Sequence, residues 1–325
     1  MPPHILPMTI QSPRQASLDR ARALLASVEK VLLGKPEAVQ LAVIGLLAEG
    51  HVLLEDVPGT GKTTLARALA RSMDLGFRRI QFTADLLTSD VLGLSMPDPE
   101  SGRFTFHPGP VFTSVVLADE LNRTPPRTQS ALLEAMNSGA VTVEGETREL
   151  PRPFFVIATQ NPLEFEGTYP LPESQLDRFL IRVRIGYPDR EIERRVIQTR
   201  TTEDLCEPAV SREEILELIE EVRTIRVEDS LVDYILDIVE KTRAGGPFLL
   251  GASPRAAIGY HRAVQARALL DGRTYAVPDD VKALAVPILS HRVVPIDRLR
   301  LGPDGSADPA EGLISELVAS LPVPE

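Results

Sequence analysis

One cysteine in 325 residues, Cys206, excludes an intrachain disulfide and fits a reducing compartment. No apolar run is long enough to span a bilayer: the longest, Leu41 to Leu54, is broken by Glu49 and His51. The N-terminus, Met-Pro-Pro-His-Ile-Leu-Pro-Met, lacks the basic region and apolar core of a signal peptide, so a cytoplasmic location and no membrane association are expected. Positive charge is in deficit. With 35 Lys and Arg against 46 Asp and Glu, the formal net charge is -11. That argues against broad nucleic-acid binding, which relies on Lys and Arg neutralising phosphates. Cys206 and the five histidines are scattered without metal-ligand spacing and read as structural or surface residues. There is no internal repeat and no low-complexity block. What remains is ordinary for a chain that buries a real core, 43% hydrophobic and 25% charged, with a length that suits two domains.

The chain is organised around residues 51–68. A short apolar run, Val52 to Leu54, ends in a turn carrying Pro58, Gly59, Thr60 and Gly61. Lys62, Thr63 and Thr64 follow, and then an Ala/Leu-rich helical stretch. Strand, glycine loop and helix in that order make a phosphate cradle. Backbone N–H groups close around phosphate oxygens where side chains are absent, and the helix aims its positive end at the same spot. Lys62 supplies a point charge for the outer phosphates, and the Thr63 hydroxyl is a ligand for Mg²⁺. The strict pattern has glycine where this chain has Asp56.

Residues 1–15, with four prolines, read as a loose arm. Helices are expected over 17–33 and 37–50, then the cradle, then strands at 79–82, 115–118, 154–158 and 180–185. A short helical piece is expected over 83–92, hairpins over 93–106 and 141–150, and a helix over 129–138. Continuous apolar strands separated by helices imply an α/β fold, a parallel five-stranded sheet covered on both faces. From Pro188 the pattern is all-helical, with Ser253-Pro254 as a helix start. The expected division is therefore an arm over 1–15, an α/β nucleotide-binding core over 16–187 and a helical lid over 188–325.

Two acids end the third strand. Asp119 is placed to hold Mg²⁺ through water beside Thr63, and Glu120, one residue on, to polarise an attacking water. Asn161 ends the fourth strand, where strand ends converge on a ligand crevice. Its neutral amide suits orienting a water, although an Asn before Pro162 taken alone reads better as a turn former. Arg178 and Arg255, each taken alone, read as surface arginines or ion-pair partners.

Together these stretches resemble the MoxR family of AAA+ ATPases, in the clade that includes the magnesium-chelatase ATPase subunits. The resemblance runs from about Val31 to the C-terminus. It is carried by Leu54-Glu-Asp-Val-Pro-Gly-Thr-Gly-Lys-Thr-Thr64, Leu117-Ala-Asp-Glu-Leu-Asn-Arg123, Gln129-Ser-Ala-Leu-Leu-Glu-Ala-Met136 and Ala158-Thr-Gln-Asn-Pro162, and by Gly167-Thr-Tyr-Pro-Leu-Pro172 and Gln175-Leu-Asp-Arg-Phe179. It implies that Lys62 and Thr63 are the Walker A residues and that Asp119 and Glu120 are the Walker B pair. Asn161 is then sensor 1 and Arg255 sensor 2, and Arg178 is an arginine finger given to a neighbouring subunit. Gly34 belongs to an adenine-side linker, where Lys35 stands in place of the usual Gln. The two hairpins resemble inserts that face a ring's central pore.

The function implied is ATP hydrolysis with Mg²⁺ in a ring, with a hexamer expected. That ring would remodel or activate protein complexes, together with a von Willebrand factor A domain protein or another protein client. Two other classes stand beside it. A nucleic-acid motor is disfavoured by the acidic charge and by the lack of a basic cluster on either hairpin. A nucleotide-gated scaffold with little hydrolysis is disfavoured by the presence of Glu120, Asn161 and Arg178. A further expectation places the nucleotide between core and lid, with Lys62 on one side and Arg255 on the other, so that ATP changes the angle between the two, and both hairpins near Asp119 and Asn161; the alternative for Arg255 is action on a neighbouring subunit's nucleotide.

Overall fold

The structure is a computed structural model and describes residues 13–57, 59–97, 103–160, 167–198, 206–297 and 308–324. Two helices, α1 (Pro13–Glu29) and α2 (Pro36–Leu47), precede the first strand, β1 (Val52–Glu55). The loop after β1 opens α3 (Lys62–Ser72), followed by β2 (Phe77–Gln81) and the short α4 (Thr88–Leu92). A hairpin of β3 (Gly93–Pro97) and β4 (Phe104–Pro108) comes next, then β5 (Val115–Asp119) and α5 (Pro126–Ser138). The second hairpin, β6 (Ala140–Val143) and β7 (Glu146–Glu149), leads to β8 (Phe155–Gln160), α6 (Glu173–Leu176) and β9 (Ile181–Val183).

The expected parallel sheet is present, with five strands in the order β2-β5-β8-β1-β9. Successive side chains in a strand point to opposite faces. Leu54, Leu117 and Ile157 join the core beneath α1, α2 and α3, while Leu53, Val116 and Val156 join the core beneath α5. Both faces are covered, which is why β1, β5 and β8 are apolar without alternation. Register matters more for function. Gln81 lies beside Asp119, and Glu55 beside Gln160, so the carboxyl ends of four strands align along one edge.

Beyond β9 come α7 (Arg190–Gln198), α8 (Arg212–Val222) and α9 (Asp229–Arg243). They are followed by β10 (Phe248–Leu250), α10 (Pro254–Leu270), α11 (Pro278–Leu289), β11 (Val294–Pro295) and α12 (Pro309–Ser320). Ser253 caps α10 as expected, its side chain accepting the Ala256 N–H at 3.2 Å. The region is not all-helical: β10 and β11 pair antiparallel. α1 begins at Pro13 rather than at 17, since a proline fits a first helical turn, and residues 1–12 of the expected arm lie outside the described residues. α4 begins at Thr88 rather than 83.

One hydrophobic cluster contains Val115 and Leu117 of the sheet, Leu24 and Ile44 of α1 and α2, and Ile215, Tyr260, Leu284 and Ile314 of the later helices. An ion network adds to it. Buried Arg182 of β9 pairs with Glu55 at 3.0 Å, Asp308 at 2.5 Å and Glu311 at 2.7 Å, tying the start of α12 to the end of β1. Among the described residues no helix is long and apolar enough to cross a membrane.

Candidate active site

After β1 the chain turns through Asp56 to Gly61 into α3. Gly61 has φ 99°, a left-handed conformation that disfavours any side chain, and a Cβ there would lie 3.0 Å from Leu32. Gly59 also has positive φ, and its missing side chain leaves open space above the loop. Pro58 lies outside the described residues. The Lys62 Nζ donates to the carbonyls of Asp56 and Val57 at 2.7 and 2.9 Å, folded back over its own loop. The Thr60 hydroxyl donates to the Val57 carbonyl at 3.3 Å. Thr63 and Thr64 follow in the first turn of α3.

Asp56, where the strict pattern has glycine, has a definite use. Its Oδ1 accepts the Val57 N–H at 2.8 Å, and its Oδ2 accepts the N–H groups of Ile185 and Gly186 at 2.9 and 2.6 Å. The side chain thus pins the start of the loop to the segment after β9. Gly34 lies against that same segment, since a Cβ on it would come within 2.9 Å of Ile192 in α7. Lys35 anchors its ammonium on the Tyr187 carbonyl at 2.8 Å. The loop after β1, the Gly34–Lys35 turn and the 185–192 stretch therefore converge.

Asp119 ends β5 and is buried. Its Oδ1 accepts the Thr159 hydroxyl at 2.6 Å, and that hydroxyl oxygen accepts the Glu120 N–H at 2.8 Å. Its Oδ2 accepts Arg79 Nε and Nη2 at 3.0 and 2.5 Å. Glu120 has φ 57° and ψ 47°, a left-handed conformation uncommon for a residue with a side chain and a mark of functional sites. It turns the chain sharply, so that the two carboxylates part company. Glu120 Oε2 accepts Gln81 Nε2 at 2.7 Å and faces Arg123 Nε at 3.3 Å. Arg79 Nη2 also donates to Gln81 Oε1 at 2.7 Å, closing a chain from Asp119 through Arg79 and Gln81 to Glu120. Sequence reasoning missed Arg79 and Gln81. The signal was the polar-apolar-polar run Arg79-Ile80-Gln81, which puts both polar groups on one face of β2, but only the strand order sets that face beside β5. Asn161 lies outside the described residues.

The groups at this edge suit a hard divalent cation: the carboxylate of Asp119 and the hydroxyl of Thr63 are oxygen donors, the set Mg²⁺ takes together with water and phosphate.

Arg178 and Arg255 lie elsewhere. Arg178 Nη1 donates to the Leu133 carbonyl at 2.9 Å, and Arg255 Nη1 to Asn137 Oδ1 at 3.1 Å, both near the last turn of α5. That turn is fixed to the start of β1, because His51 hydrogen-bonds the Met136 carbonyl at 3.0 Å and the Val156 N–H at 3.1 Å. Lys62 follows the other end of β1. The expected arrangement, with Lys62 and Arg255 flanking one nucleotide inside a single chain, is therefore not what the structure has. The lid helix that bears Arg255 docks against the amino ends of the strands instead.

Burial, and the charge of Arg255 nearby, hold the Arg178 guanidinium below its ordinary range. Asp177 accepts the Ser253 hydroxyl at 2.8 Å and lies 3.8 Å from buried Arg292, whose pKa burial lowers to about 10. Three arginines thus gather around one aspartate. The β6–β7 hairpin also leaves from this end, at Gly139, rather than beside Asp119. It touches β3–β4: the Ser95 N–H reaches Glu144 Oε1 at 3.4 Å, and Arg148 stacks on Phe106 at 4.0 Å.

This fold and loop define a class, and comparisons with known proteins agree. Residues 51–181 match the family described as "ATPase family associated with various cellular activities (AAA)", and residues 240–311 match "AAA lid domain". Protein YeaC of Bacillus subtilis (strain 168), itself uncharacterized, is 47% identical over 302 residues, 91% of this chain and 92% of that one. Chaperone MoxR1 of Mycobacterium tuberculosis is 40% identical over 288 residues, 86% of this chain and 76% of its own. The crystal structure of an inferred ATPase from Cytophaga hutchinsonii superposes with a TM-score of 0.85 at 36% identity, covering 96% and 97% of the two chains. The chain belongs to the MoxR family of AAA+ ATPases.

Proposed function

We propose that this chain hydrolyses ATP with Mg²⁺ as a head-to-tail ring, a hexamer, in which each subunit completes its neighbour's site. The observation that carries this reading is the separation of the machinery. Lys62, Asp119 and Glu120 gather at the carboxyl edge of the sheet, while Arg178 and Arg255 gather at the amino edge. β1 alone, at roughly 3.3 Å per residue, sets the two ends about 10 Å apart or more. Two arginines held next to each other, with more positive charge than Asp177 balances, are useful when a second subunit brings them an anion. A head-to-tail interface that closes makes a ring.

Within one site, Lys62 leaves the carbonyls of Asp56 and Val57 to meet the outer phosphates, and the first N–H groups of α3, with Gly59, Thr60, Gly61 and Thr64, cradle them. The nucleoside lies toward Gly34 and the 185–192 stretch. Thr63 and Asp119 hold the Mg²⁺, whose charge offsets that of the phosphates. Glu120 accepts a proton from the attacking water, Asn161 orients that water, and the neighbour's Arg178 and Arg255 stabilise charge on the transferring group. Arginines used in this way are worth about 10³–10⁵-fold in rate.

The output is work on protein complexes in the cytoplasm, with a von Willebrand factor A domain protein or another protein as partner. The joined hairpins support a protein client, since Leu94, Met96 and Phe104 are exposed apolar groups there and no basic cluster accompanies them. The units proposed are a core over 16–187 and a helical lid over 188–325.

Glu120→Gln should bind ATP and lose turnover, because the amide is a far weaker base. Arg255→Ala mixed with Lys62→Ala should recover activity, since one subunit keeps the loop and the other the arginine. Wild-type turnover by Glu120→Gln would refute the assignment of the base, and mixtures no more active than the separate variants would refute action between subunits.

A further inference from the structure

Arg79 has no part in the function proposed above, yet it engages the acid on which the metal site depends. Two of its nitrogens, Nε and Nη2, converge on a single oxygen, Asp119 Oδ2, at 3.0 and 2.5 Å, while the Thr159 hydroxyl takes Oδ1 at 2.6 Å. Charge-assisted contacts of this kind are stronger than neutral hydrogen bonds. With both oxygens engaged, Asp119 cannot also offer Oδ2 to a divalent cation or to the water around one. A guanidinium and a divalent cation at the same oxygen repel each other, so the two occupations exclude one another.

The surroundings are those of a group that can leave. β2 is an edge strand of the sheet, and the Arg79 side chain is 48% exposed whereas that of Asp119 is 11% exposed. Released, the guanidinium moves into water, where a charge costs little. Asp119 stays behind, fixed by Thr159.

We infer that Arg79 is a counter-ion that competes with the cation for Asp119 and gives way when Mg²⁺ binds with the nucleotide, so that Arg79 sets the affinity for the metal. The inference rests on the reading of Asp119 as the metal-holding acid. Arg79 is a positioning residue: it acts through Asp119 and does not touch the nucleotide.

The test compares wild type with Arg79→Met, which keeps length and loses charge, and Arg79→Lys, which keeps charge and loses the fork. Binding of a fluorescent ADP is measured in EDTA and in Mg²⁺, and binding of Mn²⁺ to the ADP complex is followed by its electron paramagnetic resonance signal. In Arg79→Met the affinity in EDTA should stay within twofold of wild type. The gain in affinity on adding Mg²⁺ should rise about three- to tenfold, the scale of a charge-assisted pair. Mn²⁺ affinity should rise by the same factor, because coupling between two ligands is reciprocal. Arg79→Lys should fall between. An unchanged or smaller metal gain overturns the inference. So does an equal loss of ADP affinity with and without metal, which would make Arg79 a nucleotide contact or a structural pin. A wild-type chain that binds no nucleotide under either condition overturns the nucleotide-site reading itself, and this inference with it.

Discussion

Acid should weaken this protein through one imidazole at the root of β1. His51 is fully buried, its Nδ1 accepts the Val156 N–H at 3.1 Å, and its Nε2 therefore donates to the Met136 carbonyl at 3.0 Å. Burial lowers its pKa to about 4, against the opposing effect of the Met136 bond. In the unfolded chain the same ring titrates near 6.5. Between about pH 6.5 and 4 the unfolded state binds a proton that the native state refuses, so stability falls as the pH falls through that window and this loss levels off below it. The gap of roughly two and a half pH units is worth about 3 kcal/mol in full and about 2 kcal/mol by pH 5. His51→Gln isolates the effect, because Gln keeps a donor and an acceptor and does not titrate. Urea unfolding at pH 7 and pH 5 gives the comparison, with the slope against urea checked for constancy. Wild type should lose about 2 kcal/mol more than His51→Gln between the two values. His291, pushed well below its ordinary value by burial and by Arg292 and Arg182, acts in the same direction in both proteins and cancels. Equal losses in the two proteins would refute the reasoning.

Two stability predictions follow from the loops. Asp56→Ala leaves the N–H groups of Ile185 and Gly186 without their acceptor and should cost about 1–3 kcal/mol in urea unfolding, with weaker nucleotide binding; an effect below about 0.5 kcal/mol would contradict the pinning role. Gly93→Ala puts a Cβ about 2.2 Å from the His107 carbonyl oxygen at φ 94°, so β3–β4 must deform, and limited proteolysis should cut that hairpin faster than in wild type.

The strand, glycine loop and helix were legible because their signal is local: two glycines, a lysine and a hydroxyl within five residues, following an apolar strand. The five-stranded sheet was legible for the same kind of reason, since fully covered strands such as Val115–Asp119 read as unbroken apolar runs. The ends of elements were less so, as with α1 and α4, where propensity gives no sharp start. The β10–β11 ribbon was invisible because its three and two residues lie far apart in the chain, with α10 and α11 between them. Arg255 was recognisable as a residue but not as a location. Its place depends on which end of the sheet receives α10, and that is decided by contacts such as Gly259 against Leu180, which no local pattern encodes. Asp56 appeared in the sequence as a fault in a motif; its partners at 185 and 186 could be seen only in three dimensions.

The hydrophobic cluster that runs from Val115 and Leu117 through α1 and α2 to Ile314 bears on how such a machine can move. A lid that swung away from its own core would have to uncover that cluster, at about 2.5 kcal/mol for each 100 Å² of apolar surface exposed to water. A swing of any size would soon exceed the few kcal/mol by which a ligand shifts a conformational equilibrium. The cluster thus favours a chain that moves as one stiff block, and in the proposed ring the compliant joints would be the seams between one block and the next. In the ring proposed above, a nucleotide lodged in such a seam would act on the angle between neighbours, and displacement would pass from subunit to subunit rather than within each one.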